Sequence, residues 1–169
     1  GVWSLVLTPG QIARLGEGKI RVVLSQVDRA LNKSSEVTRY FVIDKTVQAL
    51  TFDTVAGDDR VNVAEQEQGF RLSGRAEAKS TLKISFSQGG AKLAVDASPS
   101  STELTTKADS TGAWFIDLSK ANMAAWKGRD NQGNLDIQVD QTDLARNTTL
   151  QPSKKTIVLD TVPLTPPTL

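Results

Sequence analysis

A block at the start of this chain returns near its end, and that repetition restricts the fold more than any single motif. Residues 1–7 match residues 112–118, with Trp3 against Trp114 and Leu7 against Leu118. Residues 28–34 match 143–149, with Asp28, Ala30 and Asn32 against Asp143, Ala145 and Asn147. Residues 41–46 match 157–162, with Asp44 against Asp160. The offset grows from 111 to 115 to 116, so the order is kept while loops gain a few residues. A unit recurring at this spacing, built of short apolar alternations between turns, predicts β-sandwiches in tandem.

The local patterns fit that frame. Residues 1–7 alternate as a strand with Trp3 on the buried face. Thr8, Pro9 and Gln11 read as N-cap, first helical residue and capping-box partner of a short helix whose apolar stripe is Ile12 and Leu15. Ser119 starts the matching helix, which carries Met123 and Trp126. Strand-like runs cover residues 19–26, 37–44, 69–76, 80–87, 92–97 and 103–108, with turns at 88–90 and 109–112. The tail 163–169 is proline-rich and reads as an extended linker. The opening residues read as the middle of a strand, so the expectation is a fragment of a longer protein.

Composition removes most chemistry. Histidine and cysteine are both absent. There is thus no imidazole base, no thiolate, no disulfide framework and no zinc site of the usual kind. Ser80 and Lys83 satisfy the serine–lysine spacing of penicillin-binding enzymes, but a strand places positions three apart on opposite faces. No enzyme is expected. Net charge is +1, from 20 basic and 19 acidic residues, which supplies no field to recruit nucleic acid. No apolar run approaches the roughly 20 residues that span a bilayer, so no membrane insertion is expected.

The stretch 52–65 stands apart. Asp53, Asp58, Asp59, Asn62 and Glu65 gather around Gly57, at what the repeat makes the seam between two units. Hard oxygen ligands there point to Ca²⁺, against the plainer reading of Asp, Asn and Gly as turn formers. Residues 130–136 resemble a calcium loop superficially but lack a closing glutamate, and read as an expanded solvated loop.

The G-x-W block, the capped helix, the D-x-A-x-N loop, the apolar-Asp-Thr strand end and the acidic stretch together resemble the bacterial immunoglobulin-like repeats of giant cell-surface adhesins. These are exported by type I secretion and include biofilm-associated and RTX-type adhesins. The resemblance implies an all-β fold, immunoglobulin-like β-sandwich repeats in tandem, each with one short helical turn. It implies the C-terminal part of one repeat at 1–46, a complete repeat at 47–162 and a linker to the next at 163–169. It implies an extracellular, cell-surface stalk that is stiffened by Ca²⁺ and presents a distal binding tip for adhesion or biofilm formation. The metal ligands it implies are Asp28, Asp44, Asp53, Asp58 and Asp59 at the first seam, Asp143 and Asp160 at the second, and Asp109 in the turn before the G-x-W strand. The implied partners are neighbouring repeats and a host-cell or biofilm ligand. The alternative is a module that itself binds carbohydrate through Trp126 or Tyr40. The chain departs from the family at Lys45, where a cation can neutralise the site, and in its near-neutral charge. The incomplete first repeat predicts completion by another chain or by a strand-swapped oligomer.

Overall fold

The computed structural model describes residues 2–95, 101–124 and 132–162. Trp126, Asp130, Asn131 and the tail 163–169 lie outside them. The chain divides into two units, Gly1–Lys45 and Thr46–Leu169.

The first unit holds α1 (Pro9–Arg14), β1 (Gly18–Leu24) and β2 (Val37–Ile43). Thr8 caps α1, and a capping box with Gln11 closes both ways, as the sequence predicts. β1 and β2 form an antiparallel hairpin in register from Gly18 opposite Ile43 to Leu24 opposite Val37. Along β1, Ile20, Val22 and Leu24 turn to a half-buried side while Lys19, Arg21 and Val23 are exposed. Two expectations fail here. Residues 2–7 form no strand, and Trp3 is 66% exposed. Ile12 is likewise exposed. The reason is the lack of a partner: among the described residues of this unit, no segment lies beside 2–7 to complete its backbone hydrogen bonds.

The second unit begins with β3 (Thr51–Phe52), β4 (Arg60–Asn62), α2 (Val63–Gln68), β5 (Phe70–Arg75) and β6 (Thr81–Gln88). It continues with β7 (Ala91–Lys92), β8 (Glu103–Lys107), β9 (Ala113–Leu118), α3 (Lys120–Ala124), β10 (Gln132–Thr142) and β11 (Ser153–Asp160). One sheet has the order β3-β5-β9, the other β4-β11-β10-β6-β7, with β8 also pairing β6. In immunoglobulin lettering β3, β5 and β9 stand as A, B and E, and β6, β10 and β11 as C, F and G. Every pairing is antiparallel except β4 on β11. This is an all-β, immunoglobulin-like sandwich with few and short helices.

Alternation explains the core. Leu72, Leu82, Ile84, Phe86, Leu135, Ile137 and Ile157 come from the inward positions of four strands and are at most 1% exposed. Each such side chain contributes about 2–3 kcal/mol by leaving water. Trp114 on β9 is 2% exposed and meets the edge of Phe52 at 5.7 Å between ring centroids. That contact needs β3 pressed close to β5. Gly74 permits it, because a Cβ there would sit 1.9 Å from the Thr51 carbonyl oxygen.

The stretch 52–65 lies wholly inside the second unit. It carries the chain from β3 in one sheet to β4 in the other. Asp53 Oδ2 accepts from Ser73 Oγ at 2.7 Å, and Asp58 Oδ1 accepts from the Arg60 amide at 2.9 Å. Asp59 Oδ1 accepts from the Val55 amide at 2.8 Å, and its carboxylate also takes the Lys155 ammonium at 2.8 Å. Asn62 caps α2, with Glu65 closing the box onto the Asn62 amide at 2.9 Å. Asp58, Asn62 and Glu65 meet donors near in the chain, while Ser73 of β5 and Lys155 of β11 reach Asp53 and Asp59, so the crossing is shaped by turns, caps and these two contacts. The loop expected over 130–136 is also different, because Gln132–Asp136 already belong to β10. β11 lies beside it and extends the pairing to Gln132 opposite Asp160.

Candidate functional site

The repeated loops keep their geometry in both units. Asp28 Oδ1 accepts from the Asn32 amide and Oδ2 from Asn32 Nδ2, both at 2.9 Å. Asp143 does the same with Asn147, both at 2.7 Å. The Asp28 amide donates to the Asn32 carbonyl, and the Asp143 amide to the Asn147 carbonyl, each at 3.0 Å. Leu31 and Arg146, also 115 apart, carry the same positive φ of 67° and 70°. The helix starts recur too: Ser119 and Asn122 exchange the same side-chain and backbone bonds as Thr8 and Gln11. A carboxylate held by one asparagine through two atoms is a rigid, pre-aimed group. Those donors hold Asp28 below the usual carboxylate range, the Asn32 side chain contributing most.

In the second unit this loop joins a polar cluster where the chain arrives at the sandwich, its proximal end. The β5–β6 turn carries Glu77, whose Oε2 accepts from the Gln48 amide at 2.9 Å. The buried Gln141 amide accepts from the Glu77 N–H at 3.0 Å and donates to the Gln48 carbonyl at 3.3 Å. Carboxylate oxygens of Glu77 and Asp143 lie within 4.8 Å of one another, and Asp143 is 6% exposed. No basic side chain pairs with either among the described residues. Two carboxylates held this close, one of them buried, repel unless a cation intervenes. Two carboxylates within that range can share one hard divalent cation such as Ca²⁺.

Asp53, Asp58, Asp59, Asp109 and Asp160 take other places in the second unit. Asp109 lies at the proximal end, but its Oδ1 is taken by Thr111 N and Oγ1 at 2.7 Å and by Ala113 N at 3.0 Å. Those bonds, led by the Thr111 hydroxyl, hold Asp109 below the usual range. Asp53, Asp58 and Asp59 stay in the sheet crossing. Asp160 ends β11, opposite Gln132 and Asn62. Asp28 and Asp44 belong to the first unit, Asp44 directly after β2. Lys45 donates to the Leu15 carbonyl at 2.6 Å, so its charge is directed to the C-terminus of α1. Glu77 was missed by sequence reasoning, since one Glu in a turn carries no motif. The signal was positional: strand counting puts the β5–β6 turn and the Asp143 loop at the same end of a sandwich.

Other candidates carry less. Ser80 is buried while Lys83 points outward to Glu103 at 3.9 Å, so no serine–lysine pair forms. Tyr40 is exposed, but Lys19 Nζ covers its ring at 4.3 Å from the centroid. Among the described residues no helix is long and apolar enough to cross a membrane.

No protein-family model matches the chain, and no curated protein matches it. Solved structures do. One is a Ca²⁺-stabilised adhesin with which an Antarctic bacterium binds ice (20% identity, TM-score 0.41, 95% of this chain and 35% of that one). Another is a bacterial immunoglobulin-like domain of the M. primoryensis ice-binding adhesin (20%, 0.40, 69% and 99%). A third is a tetra-tandem repeat from the extending region of a large adhesion protein (22%, 0.45, 91% and 34%). These neighbours are repeats of giant adhesins. At these scores the fold assignment rests on the strand pairing described above.

Proposed function

We propose that this chain is part of the extracellular stalk of a large bacterial surface adhesin, in which tandem sandwiches act as rigid segments stiffened by Ca²⁺. The observation that carries the reading is the Glu77–Asp143 pair, built beside a loop that recurs with the same bonds in the unit before it. Glu77 and Asp143 hold the cation, and Asp44, two residues upstream of the second unit, is the further ligand the resemblance assigns. Asp160 occupies the sequence position of Asp44 one repeat later and serves the next unit in the same way. Ca²⁺ takes about six to eight oxygens, so backbone carbonyls and water complete the set. The ion would supply charge neutralisation and a link that removes hinge freedom between neighbours. The stalk then keeps its reach and presents a distal tip to a cell or biofilm ligand.

The test is calorimetric melting of the chain with Ca²⁺, Mg²⁺ or EDTA, beside Glu77→Gln and Asp143→Asn. Binding to the folded state alone raises stability by about 2.7 kcal/mol at a hundredfold excess over Kd. Ca²⁺ should raise the melting temperature of the parent and not of the variants. A parent melt that is identical in millimolar Ca²⁺ and in EDTA removes the clamp from the proposal.

A further inference from the structure

We propose that Gln132 is a positioning residue for the outgoing chain, an amide latch that fixes the direction in which residues 161 and 162 leave the sandwich and needs no metal ion to do so. The β10–β11 ladder ends with Gln132 opposite Asp160, so the next N–H groups along the chain lie past its last rung. The Gln132 side-chain oxygen takes two of them, from Thr161 at 3.0 Å and from Val162 at 2.5 Å. An amide oxygen has two lone pairs, which is the number required. Gln132 is held in its turn, because its backbone carbonyl accepts from Gln88 Nε2 at the end of β6 at 2.7 Å. A cation cannot stand in for this oxygen, since both N–H groups present their positive ends to it.

The opposite end of β10 is built alike. There the Gln141 amide accepts from the Glu77 N–H and donates to the Gln48 carbonyl of the incoming chain. One strand thus carries an amide side chain near each end, about 30 Å apart, and each holds backbone that passes it. The repeat writes the pattern twice. At offset 115, Gln26 stands at the position of Gln141 and Glu17 at that of Gln132, so an acceptor side chain occurs at both places. The residue that follows is glycine in both copies, Gly18 with φ 110° and Gly133 with φ 87°. Nothing lies within 4 Å of where a Cβ would sit on either, so backbone conformation and not space calls for glycine there. The latch does not rest on the calcium reading, and either can fail alone.

The test is amide hydrogen exchange followed by NMR on the full chain in EDTA, for the parent, Gln132→Met and Gln132→Glu. Methionine keeps the length and removes the acceptor; glutamate keeps an acceptor oxygen. In the parent, the Thr161 and Val162 amides should exchange about tenfold more slowly than unstructured amides. Gln132→Met should abolish that protection at these two positions and leave Ile157 and Leu159 of β11 unchanged, whereas Gln132→Glu should retain it. The ¹H–¹⁵N NOE of Thr161 and Val162 should match that of β11 in the parent and fall in Gln132→Met. Unprotected amides in the parent, protection that appears only when Ca²⁺ is added, or equal protection in all three proteins overturns the proposal. Parallel loss at Ile157 and Leu159 in Gln132→Met would make Gln132 a general prop of the sheet and overturn the latch as well.

Discussion

The Lys155 ammonium on β11 lies 2.8 Å from the Asp59 carboxylate in the crossing between β3 and β4. Two residues 96 apart in sequence thus fasten the sheet crossing to the strand that β4 must join, and the Asp59 carbonyl accepts from the Val158 amide at 2.9 Å beside them. The Lys155 bond first, and then the Val55 amide, hold Asp59 below its ordinary value of 3.8. A depressed carboxylate stabilises the fold above its unfolded value, and that contribution is lost as pH falls through the folded one. Asp59→Asn should cost about 1 kcal/mol at neutral pH, since the pair is partly exposed. Urea titrations from pH 7 downward should show the difference between parent and variant closing below the ordinary carboxylate range.

The two tryptophans of the repeat should behave unequally. Trp114→Ala empties a buried site and should cost about 3–5 kcal/mol. Trp3→Ala should change the unfolding free energy of the second unit by less than about 0.5 kcal/mol. Urea melts followed by far-UV circular dichroism separate the two.

Gly74→Ala should be among the most harmful small substitutions. The added methyl meets backbone, the Thr51 carbonyl at 1.9 Å, which a side-chain rotation cannot relieve. Overpacking of this kind costs about 1–3 kcal/mol. Amide exchange at Phe52 and Asp53 should accelerate before the rest of the sheet loosens, because β3 is only two residues long.

Asn62→Ala should cost about 1 kcal/mol, the usual effect of losing an N-cap. Asn62 Oδ1 accepts from Ala64 N at 2.9 Å and Glu65 N at 3.1 Å. Asn62→Ser should recover most of the loss in the same melts.

Legibility followed the range of the interaction. The capping box at Thr8, the cap at Ser119, the turn at Asp109 and the runs that become β1, β2, β5, β6 and β8 were all readable, because their partners lie within a few residues or their alternation is written locally. The candidate site was readable only in part. Asp143 stood out through its repeat, whereas Glu77 did not, and the dense acidic run 52–65 drew attention to a place where Asp53, Asp58 and Asp59 accept from Ser73, from the turn itself and from Lys155.

The sequence alone determined where the backbone turns, which faces are apolar and that one design is written twice, since these depend on spacing and side-chain chemistry within short windows. Only the tertiary structure decided which copy of the tryptophan is buried and which carboxylates meet. Both depend on strands brought together from distant parts of the chain. Trp114 has β5 beside it and Phe52 against it; Trp3, with the same local pattern, has no such neighbours among the described residues and is left largely in water.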